Sequence, residues 1–143
     1  TIKSIIEIYL PVFEDNNIKL ISNIEEKLKI FGNNILLTQS FTNIIDNAIK
    51  YSTTNRDKEI KITLNKKNEN IYLNFIDNGD GIDKDNYSRV FDRFFRLEKH
   101  RQTDGNGLGL SLVKAILKLH NASISLSNNK PGLIVKIMFT DNS

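Results

Sequence analysis

The chain contains no cysteine and no tryptophan, only two prolines, and no apolar run long enough to span a bilayer. The absence of cysteine excludes disulfide bonds and thiolate metal sites, and it fits a reducing cytoplasmic compartment. The first residues, Thr1 to Ser4, do not resemble the start of a secretory signal. We therefore expect a cytoplasmic domain that makes no membrane contact. Because Thr1 is not an initiator residue, we expect the chain to be a piece of a longer protein.

The composition is that of an ordinary globular domain. Of the 143 residues, 39% are hydrophobic and 26% are charged, which predicts one domain over residues 1–143. The net charge of +3 is small, and the basic residues are scattered along the chain. A nucleic-acid site requires a concentrated basic stripe, so we expect no nucleic-acid partner. The charge is equally consistent with a small polyanionic ligand.

Alternating and helical patterns follow one another along the chain and predict an α+β fold. A short leading helix begins at Ile2, and Pro11 is expected to end or kink it. The other expected elements are a strand over 18–24, a helix over 35–51, a hairpin of strands 60–64 and 71–76 with a turn over 65–70, a helical stretch near 84–91, a helix over 108–120 that Asn121 ends, and a hairpin of strands 123–127 and 133–139 joined by 128–132. We predict a two-layer α/β sandwich, with about five strands in a mixed, largely antiparallel sheet and about three helices on one face. The irregular, charged segment over 96–106 is predicted to be a mobile lid.

The first motif is Asn43–Tyr51, in the long helix. Its apolar residues form one stripe, and Asn43, Asn47 and Lys50 cluster nearly opposite that stripe. These three side chains could form only the solvated face of the helix. Alternatively, Asn47 could give an amide oxygen to Mg²⁺, Lys50 could neutralise phosphate, and Tyr51 could lie against an adenine ring.

The second and third motifs are glycine-rich loops. Asp77–Gly81 follows an apolar strand, and the Asp77 carboxylate could accept a hydrogen bond from an exocyclic amine such as that of adenine. Asp, Asn and Gly also form tight turns without any ligand. Gly105–Leu110 opens a helix whose first amides could face phosphate, although glycines there could equally form a hinge. Neither loop is a dinucleotide fingerprint or a P-loop.

Taken together, the ordered motifs resemble the catalytic and ATP-binding domain of sensor histidine kinases, a branch of the GHKL nucleotide-binding superfamily. The resemblance extends from about Ile18 to Phe139. The family's boxes are matched as follows: the N box by Gln39 and Asn43–Ser52, the G1 box by Asp77–Ile82, the F box by Val90–Arg96, and the G2 box by Gly105–Leu110.

The resemblance implies a role for each matched residue. Asn47 would be the Mg²⁺ ligand, Asn43 would assist at the phosphates, and Asp77 would read the adenine amine. Lys50, Tyr51, Gly79, Gly81, Ile82, Gly105, Gly107, Leu108 and Gly109 would line the nucleotide. Arg93 or Arg96, with lid residues such as Lys99 and Arg101, would contact the γ-phosphate, and residues 1–14 would lead in from a dimerisation domain.

One position separates phosphoryl transfer from hydrolysis. ATPases of the superfamily activate water with a glutamate one helical turn before the magnesium asparagine, and this chain has Asn43 there. An amide cannot take a proton from water, so transfer to a protein is favoured over efficient hydrolysis. A domain that binds nucleotide for regulation, without transfer, is the alternative.

The phosphoacceptor is expected to lie elsewhere. His100 in the lid and His120 at a helix end are the two histidines, and neither stands in a histidine-acid dipeptide on a helix ahead of the domain. The resemblance implies transfer to a histidine on dimerisation helices that precede Thr1, and then to a response-regulator receiver domain. We expect the isolated fragment to be a monomer.

Two departures from the family pattern leave these contacts unchanged. Asn121 and Ala122 follow His120 where the family often has two glycines, and Asn33 stands where many relatives have Asp. Asparagine tolerates left-handed backbone and caps helices, so both turns are expected to form.

Overall fold

A computed structural model describes residues 1–50, 57–92 and 109–140. The elements in these residues are α1 (Ile2–Asp15), β1 (Ile18–Ile24), α2 (Asn34–Lys50), β2 (Lys58–Lys67), β3 (Asn70–Asp77), two short 3₁₀ turns (Lys84–Asn86 and Arg89–Phe91), α3 (Gly109–Leu119), β4 (Ala122–Asn128) and β5 (Leu133–Thr140). In the described part of the chain, no helix has the length and apolar character needed to cross a membrane.

The five strands form one mixed sheet in the order β1-β2-β3-β5-β4. β1 and β2 are parallel, with α2 as the connection between them, and the other neighbours are antiparallel. The prediction of a two-layer α+β sandwich with a largely antiparallel five-stranded sheet is confirmed.

The core lies between the helices and one face of the sheet. Alternate residues of β3, namely Ile71, Leu73 and Phe75, are buried, as the alternating pattern predicts. Phe41 of α2 packs against Phe75 and Phe139, with a ring-centroid distance of 6.4 Å to each. This packing fixes the rotation of α2 on the sheet and therefore decides which of its side chains remain accessible.

The end of α1 differs from the sequence prediction. α1 continues past Pro11 to Asp15, so the proline does not end the helix. Pro11 is exposed, while Phe13 is 1% exposed and anchors the last turn in the core. Solvent can satisfy the carbonyl that a proline leaves without its helical donor.

The first hairpin is also tighter than predicted. Its strands extend to Lys67 and from Asn70, so the connection is Asn68-Glu69 and not 65–70. These two residues have φ of 51° and 69°. Positive φ at both positions is typical of a two-residue type I′ turn, whose twist matches that of the strands.

Candidate functional site

The packing of α2 places the first motif at the edge of the helical layer. Ile44 and Ile45 are buried under the helix, whereas Asn43, Asn47 and Lys50 are half-buried. The predicted separation of an apolar stripe from a polar cluster is therefore confirmed. The polar cluster is not a fully solvated face, because α3 packs beside α2 at the position of Asn47.

Gly109 lies beside the side-chain amide of Asn47 where α2 and α3 pack together. A Cβ built on Gly109 would lie 3.7 Å from Nδ2 of Asn47, which is ordinary van der Waals contact. The glycine therefore leaves open a space beside the Asn47 amide that any larger side chain would fill. The Asn47 amide nitrogen borders this space, and the same side chain carries an oxygen of the kind that Mg²⁺ takes as a ligand.

Asp77 is the last residue of β3, and its carboxylate is held by the backbone. Oδ1 accepts hydrogen bonds from the amides of Gly79 at 2.9 Å and Leu133 at 3.2 Å. Within the described residues, no hydrogen bond reaches Oδ2. One oxygen is thus fixed by the protein, and the other can accept a hydrogen bond from a ligand amine.

Burial raises the pKa of Asp77 above its ordinary value. The two amide donors oppose this effect, and the nearby charge of Asp80 adds to it. The carboxylate is therefore costly to keep ionised in the folded protein. A hydrogen-bond donor supplied by a ligand would stabilise its charged form.

Asn78 fixes the loop after Asp77 to the start of β2. Its Oδ1 accepts from the Glu59 amide at 2.9 Å, and its Nδ2 donates to the Asp57 carbonyl at 2.6 Å. Gly79 is buried, and Ile82 packs against the hydrophobic core. Hydrogen bonds to the start of β2 and packing on the core therefore hold the second motif in one conformation.

Chain topology brings the motifs to one end of the sandwich. α2 ends at Lys50 and β2 begins at Lys58, so the short connection keeps the end of α2 near the start of β2. Ile60, near the start of β2, pairs with Asp77, so the end of β3 lies at the same end of the sandwich. Since Asn47 meets Gly109, the first residues of α3 lie there too.

The start of the F box packs on α3. Val90 is buried, and the ammonium of Lys114 lies 5.3 Å from the ring centroid of Phe91. Such a cation–aromatic contact holds the 3₁₀ turn over Arg89–Phe91 against the helix.

Several predicted contacts lie outside the described residues. They are Tyr51, Arg93, Arg96, Gly105, Gly107 and Leu108, with Lys99, His100, Arg101 and the lid expected over 96–106. Their roles stay predictions. Among the described residues, no group of three or more His, Asp or Glu side chains is placed to hold a metal ion.

His120 contacts a carbonyl of its own helix, as expected of a helix-terminal histidine. Nδ1 lies 2.8 Å from the carbonyl oxygen of Ile116, and Nε2 accepts from the Asn33 amide at 3.0 Å. The second bond was not predicted; it joins the end of α3 to the residue that caps α2, since Asn33 Oδ1 accepts from Leu36 N at 3.1 Å. Asn121 has φ of 55°, which confirms the predicted left-handed stop.

Sequence reasoning located the turn between β4 and β5 but did not predict its contacts with Asp77. Asn129 Nδ2 donates to the Asp77 carbonyl at 2.8 Å, and Leu133 supplies an amide to the Asp77 carboxylate. A turn rich in Asn and Gly signals only a change of direction. No local pattern indicates which distant loop it contacts.

Comparison with known proteins identifies the family. The model of the family described as histidine kinase-, DNA gyrase B- and HSP90-like ATPase matches residues 32–142. The heme sensor protein HssS of Staphylococcus saprophyticus is 39% identical over 105 residues, which cover 73% of this chain and 22% of HssS. The sensor-like histidine kinase SenX3 of Mycolicibacterium smegmatis is 37% identical over 115 residues, which cover 79% of this chain and 29% of SenX3. The chain thus spans less than a third of the length of either relative.

A solved structure shows the same fold. The catalytic domain of histidine kinase ThkA superposes with a TM-score of 0.84 at 21% identity, covering 96% of this chain and 90% of that domain. The family match extends over most of the chain, and the fold agrees with it. The chain belongs to the family of histidine kinase-, DNA gyrase B- and HSP90-like ATPases.

Proposed function

We propose that this domain binds Mg²⁺-ATP and transfers the γ-phosphoryl group to a histidine on a dimerisation and phosphoacceptor domain of the same parent protein, in two-component signal transduction. The observation that carries the proposal is the approach of Gly109 to Asn47, where a Cβ on the glycine would lie 3.7 Å from Nδ2 of the amide. It joins the helix of the N box to the helix of the G2 box at the end of the sandwich that also holds Asp77. Relatives named as sensor histidine kinases support the same assignment.

Asp77 would recognise the adenine. Its Oδ1 is occupied by two backbone amides, so Oδ2 is the oxygen that would accept from the exocyclic amine. The site is half-buried, and a hydrogen bond is worth more where water is partly excluded. Gly79, Gly81 and Ile82 would approach the base from the same loop.

Asn47 would hold Mg²⁺ through its amide oxygen, with Asn43 one turn earlier on the same helix. The ion would neutralise phosphate charge as the γ-phosphoryl group leaves. Lys50, at the end of α2, would place an ammonium near the phosphates. Arg93 or Arg96 would contact the γ-phosphate.

Transfer to histidine is favoured over hydrolysis by Asn43. In the transfer, the P–O bond between the γ-phosphorus and the β,γ-bridging oxygen breaks, and a P–N bond to the imidazole forms while ADP leaves. The nucleophile is an imidazole nitrogen, which attacks through its lone pair and needs no base to remove a proton from water. An amide at position 43 therefore suffices for transfer but cannot activate water.

The experiment that tests the proposal is a transfer assay with γ-labelled ATP. The 143-residue chain would be mixed with the helical segment that precedes it in the parent protein. We expect label on a histidine of that segment, and Asn47→Ala should abolish it while leaving the thermal unfolding transition in place. From there the phosphoryl group would pass to an aspartate of a response regulator.

Two results would contradict the assignment. ATP binding without any transfer would indicate a regulatory nucleotide-binding module, and rapid phosphate release would indicate an ATPase. Asn43→Asp probes the latter directly: transfer should decrease, and an increase in phosphate release would support the argument from water activation.

A further inference from the structure

Asp77 accepts hydrogen bonds from the turn between β4 and β5 and from Leu133, the first residue of β5. Asn129 Nδ2 donates to the Asp77 carbonyl at 2.8 Å, and the Leu133 amide donates to Asp77 Oδ1 at 3.2 Å. The two bonds span 52 and 56 positions of the sequence. The turn thus satisfies the carbonyl of Asp77, and the start of β5 donates to one of its carboxylate oxygens.

These bonds take the place of the backbone hydrogen bonds that would continue the pairing of β3 with β5. β3 and β5 pair regularly as far as Ile76 and Ile134. At the following pair, Leu133 donates to the carboxylate of Asp77, and the Asp77 carbonyl accepts from a side chain of the turn. Side-chain atoms therefore replace the backbone partners of the Asp77 carbonyl and the Leu133 amide. For this reason β3 can end at Asp77 without leaving these backbone groups unpaired.

Close packing leaves the loop little freedom relative to the turn. A Cβ on Gly132, whose φ is 115°, would lie 1.9 Å from the Asp77 carbonyl oxygen. A Cβ on Gly81, whose φ is 74°, would lie 2.9 Å from the Gly132 carbonyl oxygen. Both glycines are required by backbone contact as well as by their conformation. The position of the Asp77 backbone therefore follows that of the turn.

We propose that Asn129 is a positioning residue that sets the base specificity of the site by orienting Asp77. This inference rests on the proposed function, in which Asp77 accepts a hydrogen bond from adenine. With the Asp77 carbonyl held by Asn129 and Oδ1 held by two amides, the direction of Oδ2 is determined. A base that carries a carbonyl in place of the adenine amine presents an acceptor to this carboxylate and is rejected. When the Asn129 bond is lost, one of the three hydrogen bonds that orient Asp77 is gone, so adenine should bind less well and the rejection should weaken.

The test compares the affinities of the 143-residue chain for ATP and for inosine triphosphate, which has a carbonyl in place of the adenine amine. Asn129→Ala removes the donor but keeps the backbone bond from Asn129 N to the Gly132 carbonyl, which measures 3.1 Å. We expect the ratio of the dissociation constant for inosine triphosphate to that for ATP to fall about fivefold, as the loss of one ordinary hydrogen bond predicts. Asn129→Asp has nearly the same shape but no donor, and it should lose at least as much.

Asn128→Ala is the matched control. Asn128 Oδ1 accepts from the Lys130 amide at 2.7 Å, in the same turn but away from Asp77. Loss of this bond should change the stability of the domain but leave the ratio of the dissociation constants for inosine triphosphate and ATP as in the unaltered chain. A drop in the ratio for Asn128→Ala equal to that for Asn129→Ala would show that general loosening of the turn, and not the Asn129 bond, sets specificity.

The result that overturns the inference alone is an unaltered chain that prefers ATP and an Asn129→Ala variant with the same preference. If thermal unfolding shows that the alanine variant does not fold, the same ratio in Asn129→Asp decides the question. An unaltered chain that binds neither nucleotide, or both equally, would overturn the adenine assignment of the proposed function, and this inference with it.

Discussion

Tyr9 of α1 donates its phenolic hydrogen to Oδ1 of Asp46 in α2 at 2.6 Å, one residue before Asn47. Burial, and then the hydrogen bond and negative charge of Asp46, raise the pKa of Tyr9 above its ordinary value. The tyrosine ring also packs against Phe13, with 6.2 Å between ring centroids. This pair ties the leading helix to α2, the helix that carries Asn47.

Removal of this hydrogen bond should destabilise the domain measurably. Tyr9→Phe keeps the ring and loses the hydroxyl, so we expect the free energy of unfolding to fall by about 1 kcal/mol. The raised pKa predicts that the stabilisation is complete below pH 10 and decreases as the pH rises above that value. Urea unfolding of both proteins between pH 7 and about pH 11 measures this. A difference that does not shrink at high pH would contradict the role of the hydroxyl proton.

Replacement of Asp77 should separate binding from stability. Asp77→Asn keeps an oxygen that can accept from Gly79 and Leu133, so the fold should persist. ATP affinity, measured by calorimetry, should fall by tenfold or more, because the charged acceptor for the adenine amine is lost. Asp80→Asn, at an exposed position in the same loop, is the control and should bind ATP nearly as before. Unchanged ATP affinity in Asp77→Asn would show that the adenine assignment is wrong.

The same variant has a pH signature. Because the folded-state pKa of Asp77 is raised above 3.8, the folded protein holds this proton more tightly than the unfolded chain. The unaltered protein should therefore gain stability relative to Asp77→Asn as the pH is lowered through that pKa. Chemical unfolding between pH 7 and about pH 4 measures the difference. A stability difference independent of pH would contradict the effect of burial on this carboxyl group.

Asn47 and Gly109 should act together on the magnesium dependence of binding. Asn47→Ala should give equal affinity for ATP with and without Mg²⁺, since the amide ligand is gone. Gly109→Ala is the mild control, because its Cβ would be at van der Waals distance from Asn47. Gly109→Leu should instead displace the Asn47 amide and reduce the magnesium dependence. Calorimetry with and without Mg²⁺ distinguishes these outcomes, and full magnesium dependence in Asn47→Ala would exclude Asn47 as the ligand.

His120 and Gly32 form a packed pair far from the proposed nucleotide contacts. His120→Ala removes the bonds to Ile116 and Asn33 and should cost about 1–3 kcal/mol of stability. Gly32→Ala should also destabilise, because its Cβ would lie 2.5 Å from Cδ2 of His120. In the double variant the ring is absent, so the glycine substitution should cost less than it does alone. Strictly additive costs in urea unfolding would contradict this contact.

Local patterns predicted the elements because their causes are local. The apolar stripe of α2 placed Phe41, Ile44 and Ile45 in the core, and the structure buries all three. The local rule for proline failed at Pro11, because burial of Phe13 extends the helix beyond it. The rule for turns located the first hairpin but predicted too long a turn. The polar residues on both sides of Asn68 and Glu69 continue the strand pairing.

By itself, the sequence determined the order of the elements, the family motifs and the residue types of the proposed nucleotide site, since periodicity and short motifs contain that information. Tertiary structure alone decided how these residues are held. Leu133 and Asn129 hold Asp77, and His120 holds Asn33 from 87 positions away, by contacts that no local pattern indicates. The physical reason is that each bond depends on how strands pair and helices pack, which is set by burial of the whole core. The described parts of the three motifs lie at one end of the sandwich because α2 and α3 pack together where β3 ends.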